Sequence, residues 1–346
     1  MAEHGNSNQG QRQGKFIIKG NVAQHWSPCY GEGVTVFRPY PVRALDNPGG
    51  WEPFRFSSDN KDYGDWIRRY DAIRNFGDPG VTMITRDPAD LSVDPQQIPA
   101  TILFNAIEQA VKNKQDQQGW ASLLMGGKGR GAQLSRPSEI WLMQGAIMQH
   151  KSEVFNPPRG FGQEEKPLVL ELSSGAGNTM LAEMDRLREG VQAVEGDWET
   201  MYANGDPVSL DFGRFITFYK LADGDPRTRQ VQQTGNWQTG GGGQNQGQRQ
   251  QEPIGFGCFL EQTFHGMPAT LRPFADLIAQ KTLPWDDILW FPTLEEQAQL
   301  IADKFPPSVI MYAWRDHPEW IPEAVRNRAV ASNSVAGGGF YPPQQQ

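Results

Sequence analysis

Gly213-Arg-Phe-Ile-Thr-Phe-Tyr-Lys220 and Ile254-Gly-Phe-Gly-Cys-Phe-Leu-Glu-Gln-Thr-Phe264 stand on either side of QTGNWQTGGGGQNQGQRQQEP at 233–253. Both flanks are rich in aromatic and β-branched residues, the composition of strands. The connector holds four consecutive glycines and many glutamines, and such a stretch cannot bury a core. Two strands joined by a flexible loop predict an overgrown hairpin inside one sheet. A boundary between two domains is the alternative.

Outward from this pair the chain reads as a mixture. Strands are expected at Gly33–Tyr40, Gly80–Thr85, Glu139–Gln149 and Pro167–Leu172, with a short strand-like run at Lys15–Ile18. The glycine near the middle of EIWLMQGAIMQ (139–149) marks a bulge or bend. Helices are expected at Tyr63–Phe76, Pro99–Lys112, Asn178–Arg188, Met267–Gln280, Leu294–Lys304 and Trp320–Arg328. Thr293 and Glu296 have the spacing of a capping box. No internal repeat is present. This is an α+β pattern. It is organised as a disordered tail at 1–14, one elaborated domain at 15–330 with the 233–253 loop inside it, and a second tail at 331–346.

Composition excludes several classes. The chain has 346 residues, 38% of them hydrophobic and 11% aromatic, enough for a large core and too much for a wholly disordered chain. No apolar run approaches the ~20 residues of a membrane-spanning helix. The N-terminal MAEHGNSNQGQRQGK has no apolar stretch of a secretory signal. Cys29 and Cys258 make neither a disulfide framework nor a thiolate zinc site. A cytoplasmic setting is expected, the host cytoplasm for a viral protein.

Charge is uneven. The net charge is −8, yet residues 1–150 carry 16 basic and 15 acidic residues while the remainder carries 16 and 25. Tyr30–Arg86 interleaves ten aromatics with eight cations, as in Phe37-Arg38-Pro39-Tyr40, Phe54-Arg55-Phe56 and Trp66-Ile67-Arg68-Arg69-Tyr70. Single-stranded nucleic acid asks for this mixture, with rings for bases and cations for phosphates. Seven acids share the segment, and the competing account makes the rings core and the arginines snorkelling edges. From Lys112 to Arg136 there are five cations and one acid, Asp116, centred on Met125-Gly-Gly-Lys128-Gly-Arg130-Gly131. A glycine-rich loop with two cations offers backbone N–H groups and charge to phosphate. It lacks Walker spacing, and a plain surface loop is the alternative. The candidate nucleic-acid-binding residues are Phe37, Arg38, Tyr40, Arg43, Trp51, Phe54, Arg55, Phe56, Trp66, Arg68, Arg69, Lys128 and Arg130.

No catalytic signature stands out. Gly175-Ala-Gly177 begins like a dinucleotide fingerprint, but Met180 takes the third glycine position. The expected role of these glycines is a turn, with Asn178 capping the following helix. His4, His25, His150, His265 and His317 show no metal-ligand spacing. Asp286-Asp287 and Glu295-Glu296 read as a solvated acidic face. No cofactor and no enzyme activity is expected.

Val36-Phe37-Arg38-Pro39-Tyr40-Pro41, Pro53-Phe54-Arg55-Phe56, the strand pair Ile140–Gln149 and Leu168–Leu172 with its Ser-Ser-Gly-Ala-Gly-Asn, and Gly205-Asp-Pro-Val with Gly213-Arg-Phe-Ile-Thr-Phe-Tyr are the carriers of a resemblance. Together, over roughly 15–270, the chain resembles phage-type single-stranded-DNA-binding proteins with an OB-like core. It departs from them in ending Gly-Gly-Gly-Phe340-Tyr341-Pro-Pro-Gln-Gln-Gln and not in an acidic tail, and in lacking cysteines for a zinc site. The resemblance implies an OB-like antiparallel β-barrel with long insertions, more helical towards the C-terminal end. It also implies a role in coating and protecting single-stranded DNA during replication or recombination. The partners expected are single-stranded DNA or RNA, replication proteins, and further copies along the strand, with no membrane. A viral shell or tail component whose tails contact neighbouring subunits is the alternative.

Deleting 236–250 is expected to leave the melting temperature nearly unchanged, because the stretch has too little apolar area to support a core and a shorter loop recovers closure entropy. A large drop in thermal denaturation would show the connector to be packed.

Overall fold

The computed structural model of the protein describes residues 18–20, 22–28, 33–41, 66–77, 81–88, 90, 92–113, 119–125, 133–192, 214–220, 256–261 and 271–327. The two tails and the 233–253 connector lie outside them. The strands are β1 (Gln24–Trp26), β2 (Val34–Pro39), β3 (Ile67–Arg74), β4 (Thr82–Arg86), β5 (Ser138–Lys151), β6 (Glu153–Arg159), β7 (Leu168–Ser173), β8 (Phe215–Lys220) and β9 (Phe256–Glu261). The helices are α1 (Pro99–Lys112), α2 (Ala121–Met125), α3 (Ser174–Gln192), α4 (Ala275–Lys281), α5 (Trp285–Ile288), α6 (Leu294–Lys304) and α7 (Pro307–Ala313). The α+β class therefore holds. The chain divides into two compact units, one with Ile18–Arg69 and Ile140–Leu289, the other with Tyr70–Glu139 and Trp290–Gln346.

The first unit is built on a mixed sheet in the order β1-β7-β5-β2-β8-β9, with β6 also paired to β5. β1 runs parallel to β7, and the other pairs on this path are antiparallel. Among the described residues β1 and β9 do not pair, so the path is open and no closed barrel is seen. Closure needs tilted, staggered strands with free edges long enough to pair, and β1 has only three residues. β8 and β9, the strands that flank the connector, pair with each other from Phe215↔Glu261 to Lys220↔Phe256.

β5 is the centre of this sheet. Its run from Ile140 to Met148, apolar except for Gln144, is buried on both faces. Phe37, Trp141, Met143 and Leu170 form one cluster with Ala176 and Met180 of α3, whereas Val36, Ala146, Met148 and Phe215 form another with Leu271 and Ile278. Neighbours in β2 alternate between the two clusters, which places them on opposite faces. The irregularity expected at Gly145 falls instead at Ile147–Gln149, where the registers of both β2 and β6 shift. Gly145 stays in register opposite Pro39 and Leu168. Its role is close approach: a Cβ there would lie 2.2 Å from the Arg38 carbonyl oxygen and 2.5 Å from the Phe37 ring.

The second unit packs α1, α6 and α7 together. Leu103, Ile107, Ile301, Val309 and Ile310 are its fully buried centre, and the Trp314 indole N–H donates to the Pro99 carbonyl at 3.2 Å. The Thr293/Glu296 capping box forms as expected, with bonds of 3.2 and 2.9 Å. The helix expected at Tyr63–Phe76 is instead strand β3, whose second-unit residues pair with β4 from Asp71↔Arg86 to Arg74↔Thr82. Asn75 and Gly77, at φ 54° and 72°, make the turn. Long-range pairing overrides a helix-like spacing of Trp66, Tyr70 and Ile73.

Other departures are local. α3 starts at Ser174, so Gly175 and Gly177 lie inside the helix, and Ser173 Oγ, not Asn178, accepts from Ala176 N at 3.3 Å. A Cβ at Gly177 would strike the Trp141 ring at 2.1 Å, so this glycine is a packing residue. Of the helix expected at 267–280, residues 267–270 lie outside the described residues and the rest is a 3₁₀ turn, Arg272–Phe274, followed by α4; of that expected at 320–328, the described part is the end of a 3₁₀ turn, Pro318–Trp320, and a helical turn at 323–327. β6 and α7 were hidden by prolines: Pro157 and Pro158 argue against a strand, whereas Pro307 is a favourable first helical residue. Among the described residues no helix is long and apolar enough to cross a membrane.

Gly145→Ala is expected to destabilise the protein by at least ~1–3 kcal/mol, the usual cost of overpacking, because backbone atoms of β2 crowd the site. Urea denaturation checks this, and an unchanged midpoint would remove the proposed close approach.

Candidate functional site

Phe37-Arg38-Pro39-Tyr40 occupies β2 and its end, a strand with both faces covered. Phe37 and Arg38 are 0% exposed, Tyr40 is 1% and Trp66 is 2%. None of the three rings presents a face to solvent. Phe37 and Trp66 belong to the cluster under α3, and Tyr40 lies in the cluster on the opposite face of the sheet. The interleaving that suggests a binding surface is therefore core at these positions. Sequence alternation cannot separate the two cases when both faces of a strand are buried.

Arg38 is a structural cation. Its guanidinium carbon lies 5.9 Å from the Phe215 ring centroid and its Nη1 donates to the Pro39 carbonyl at 3.4 Å. Burial pushes the Tyr40 phenol far above its ordinary range; Arg38 offsets part of this and Glu165 adds to it. The Tyr40 ring stands 6.4 Å from Phe161, which makes an edge contact with Phe274 at 5.3 Å. Arg68 and Arg69 are half-buried on β3, and the Arg69 guanidinium lies 5.8 Å from the Trp141 ring centroid. Arg43, Trp51, Phe54, Arg55, Phe56, Lys128 and Arg130 lie outside the described residues.

The frame of the Gly-Lys-Gly-Arg stretch is described on both sides. Gln133 N and Leu134 N both donate to the Leu123 carbonyl, at 2.8 and 2.9 Å. The Gln133 carbonyl accepts from Gly77 N at 2.7 Å, and Ser135 N donates to the Arg74 carbonyl at 3.1 Å. The described residues on either side of 126–132 are thus held together, Gln133 and Leu134 against the Leu123 carbonyl of α2. The two ends of the basic stretch meet on one acid: Glu108 of α1 takes Lys112 at 3.0 Å and Arg136 at 2.5 Å. Arg136 also lies 5.8 Å from the Phe104 ring centroid. Burial pushes the Glu108 carboxyl up, but the hydrogen bonds and charges of Lys112 and Arg136 outweigh it and hold its pKa below the ordinary value.

Three histidines are described, and each has a protein partner. His25 meets Glu171 at 2.9 Å in the interior, His150 meets Thr35 at 3.2 Å, and His317 meets Glu319 at 3.2 Å. Burial lowers the His150 pKa, and neighbouring Lys151 adds to the effect. Among the described residues no group of three or more His, Cys, Asp or Glu is placed to hold a metal ion. Asp286, Asp287, Glu295 and Glu296 are exposed in the first turns of α5 and α6. Sequence spacing does not signal the contact of Trp120 with Tyr312, ring centroids 4.9 Å apart, because α2 and α7 are distant in the chain. No protein family, no curated protein and no solved structure matches the chain.

A carboxylate whose folded pKa lies below its unfolded one stabilises the fold above the unfolded value and loses that contribution as pH falls through the folded value. Glu108→Gln is therefore expected to cost up to ~1 kcal/mol near neutral pH, since both partners are half-exposed. The gap between wild type and variant should close below pH ~4. Chemical denaturation at two pH values measures it, and a gap that widens in acid would contradict the ion-pair assignment.

Proposed function

We propose that the protein is a non-catalytic binder of single-stranded DNA that coats and protects the strand without regard to sequence. The observation that carries this reading is the anchoring of the segment between Pro41 and Trp66. Both ends, Tyr40 and Trp66, are buried in the first unit, and the residues between them include Arg43, Trp51, Phe54, Arg55 and Phe56. With Phe37, Tyr40 and Trp66 committed to the core, the stacking role falls on Trp51, Phe54 and Phe56 and the phosphate role on Arg43 and Arg55. Lys128 and Arg130 add a second phosphate contact, between Leu123 and Gln133, which are hydrogen-bonded to each other.

The OB-like barrel belongs to this proposal. What supports it is β5, which pairs β7 along residues 140–145 and both β2 and β6 further on, with the irregularity at Ile147–Gln149 inside that second stretch. A strand that turns a barrel corner has this form. The net charge of −8 is compatible with the proposal, because a binding groove needs local positive potential only.

A tryptophan-fluorescence titration with poly-dT tests the proposal. Binding should weaken as salt rises, with each phosphate contact contributing about 0.7 to the logarithmic slope. Phe54→Ala with Phe56→Ala should cost ~1–3 kcal/mol per lost stack with little loss of stability. Lys128→Ala with Arg130→Ala should reduce the slope by up to ~1.4. Absence of binding at ~50 mM salt, where phosphate contacts are strongest, overturns it.

A further inference from the structure

Trp120 stands immediately before α2, and Tyr312 lies in the last turn of α7. Their ring centroids are 4.9 Å apart with the planes at 54°. The guanidinium carbon of Arg315 lies 5.6 Å from the Tyr312 centroid, within cation–π range. All three belong to the second unit. Both rings are half-buried, Trp120 resting on the edge of that unit's core. The Arg315 side chain is 67% exposed, and Met311, beside Tyr312, is 37% exposed.

We infer that Trp120, Tyr312 and Arg315 form a base-stacking platform for single-stranded nucleic acid, separate from the segment 42–65. The inference rests on the reading of the protein as a single-strand binder. Neither ring is inside the buried core: Trp120 packs only against its edge, whereas the comparable pair in the same unit, Phe76 and Phe305, is buried, with centroids 5.7 Å apart. Two aromatic rings and a guanidinium are all planar π surfaces, and any unpaired base can stack on them. Tryptophan, tyrosine, arginine and methionine also suit a protein hot spot. Charge favours the polyanion: Trp120 lies within Lys112–Arg136 in the sequence, and with Lys112 and Arg136 held by Glu108 the segment still has three cations, Lys114, Lys128 and Arg130, against Asp116. Arg315 already meets Asp316 at 3.3 Å, both side chains exposed, so its contribution is a stacking plane more than a phosphate contact.

The test uses the full-length protein and an oligo-dT of about 20 nucleotides, longer than the ~4–16-nucleotide sites of single-strand binders. Tyr312→Ala should weaken binding by at least about fivefold, the low end of one lost stack, and leave the salt slope unchanged. Tyr312→Phe, which keeps the ring, should bind like wild type. Melting curves establish that both variants fold. If Tyr312→Ala does not, photo-cross-linking of wild type to the same oligonucleotide bearing 5-iodo-deoxyuridine decides, by linking to the peptides of Trp120 or Tyr312 or to others only. Wild-type affinity in a folded Tyr312→Ala protein overturns the platform while the single-strand reading stands. So does unchanged affinity accompanied by altered self-association, which would make the patch a protein contact. A wild-type protein that does not bind oligo-dT overturns both.

Discussion

The backbone of β2 crosses β5 at Gly145 so closely that the Arg38 carbonyl and the Phe37 ring occupy the space of a side chain. Much of the first unit depends on that approach. Gly145 faces Pro39 on one side and Leu168 on the other, so a single residue sets the registers of β2 and β7 against the central strand. A slip of one residue would send every side chain of a strand to the opposite face. Here both faces are buried, and they are lined differently. One holds Phe37, Trp141 and Leu170 beneath α3; the other holds Val36, Ala146 and Phe215, together with the buried Arg38 that lies over Phe215. A slipped strand would place a guanidinium against the apolar side of α3, and burying a charge without its partners costs far more than losing one apolar contact.

The same crossing explains why glycines mislead when read locally. Gly145 has the sequence signature of a bulge, and Gly177 that of a turn or a phosphate loop. Both are set by a neighbour: Gly145 by Arg38 and Phe37, and Gly177 by Trp141, which the helix could not approach with a Cβ in between. A positive φ is the other reason for a glycine, and Gly77 illustrates it in the β3–β4 turn. Sequence spacing cannot tell these cases apart, because the neighbour that matters is brought in by the fold.

Elements governed by local physics were legible. α1 and α6 have the expected bounds, because a proline start and a capping box are local signals. The strands flanking the connector pair as neighbours. Elements governed by long-range pairing were not. Trp66, just before β3, and Tyr70 and Ile73 within it stand at helical spacing, and pairing with neighbouring strands makes the segment a strand. Of the candidate site, the cations and rings were visible as residue types, but their exposure was not. Phe37-Arg38 looks the same whether its strand faces solvent or lies between two clusters.

Magnitudes then divide the aromatic residues. A base gains ~1–3 kcal/mol by stacking on a ring. Removing a buried phenylalanine from its packing costs ~3–5 kcal/mol, and exposing one to receive a base costs a comparable amount. A ring at Phe37's depth therefore cannot be recruited, however well its neighbours suit nucleic acid, whereas a ring already half-open, as at Trp120 and Tyr312, gives up little on contact. Arginine follows the same rule. Arg38, held over Phe215 in the interior, would have to leave that ring and lose its packing to meet a ligand, while Arg315, over Tyr312 and paired with Asp316, is already exposed on the surface. In this protein the aromatic–cation pairs that stabilise the fold and those fit to meet a ligand are distinguished by burial and not by sequence.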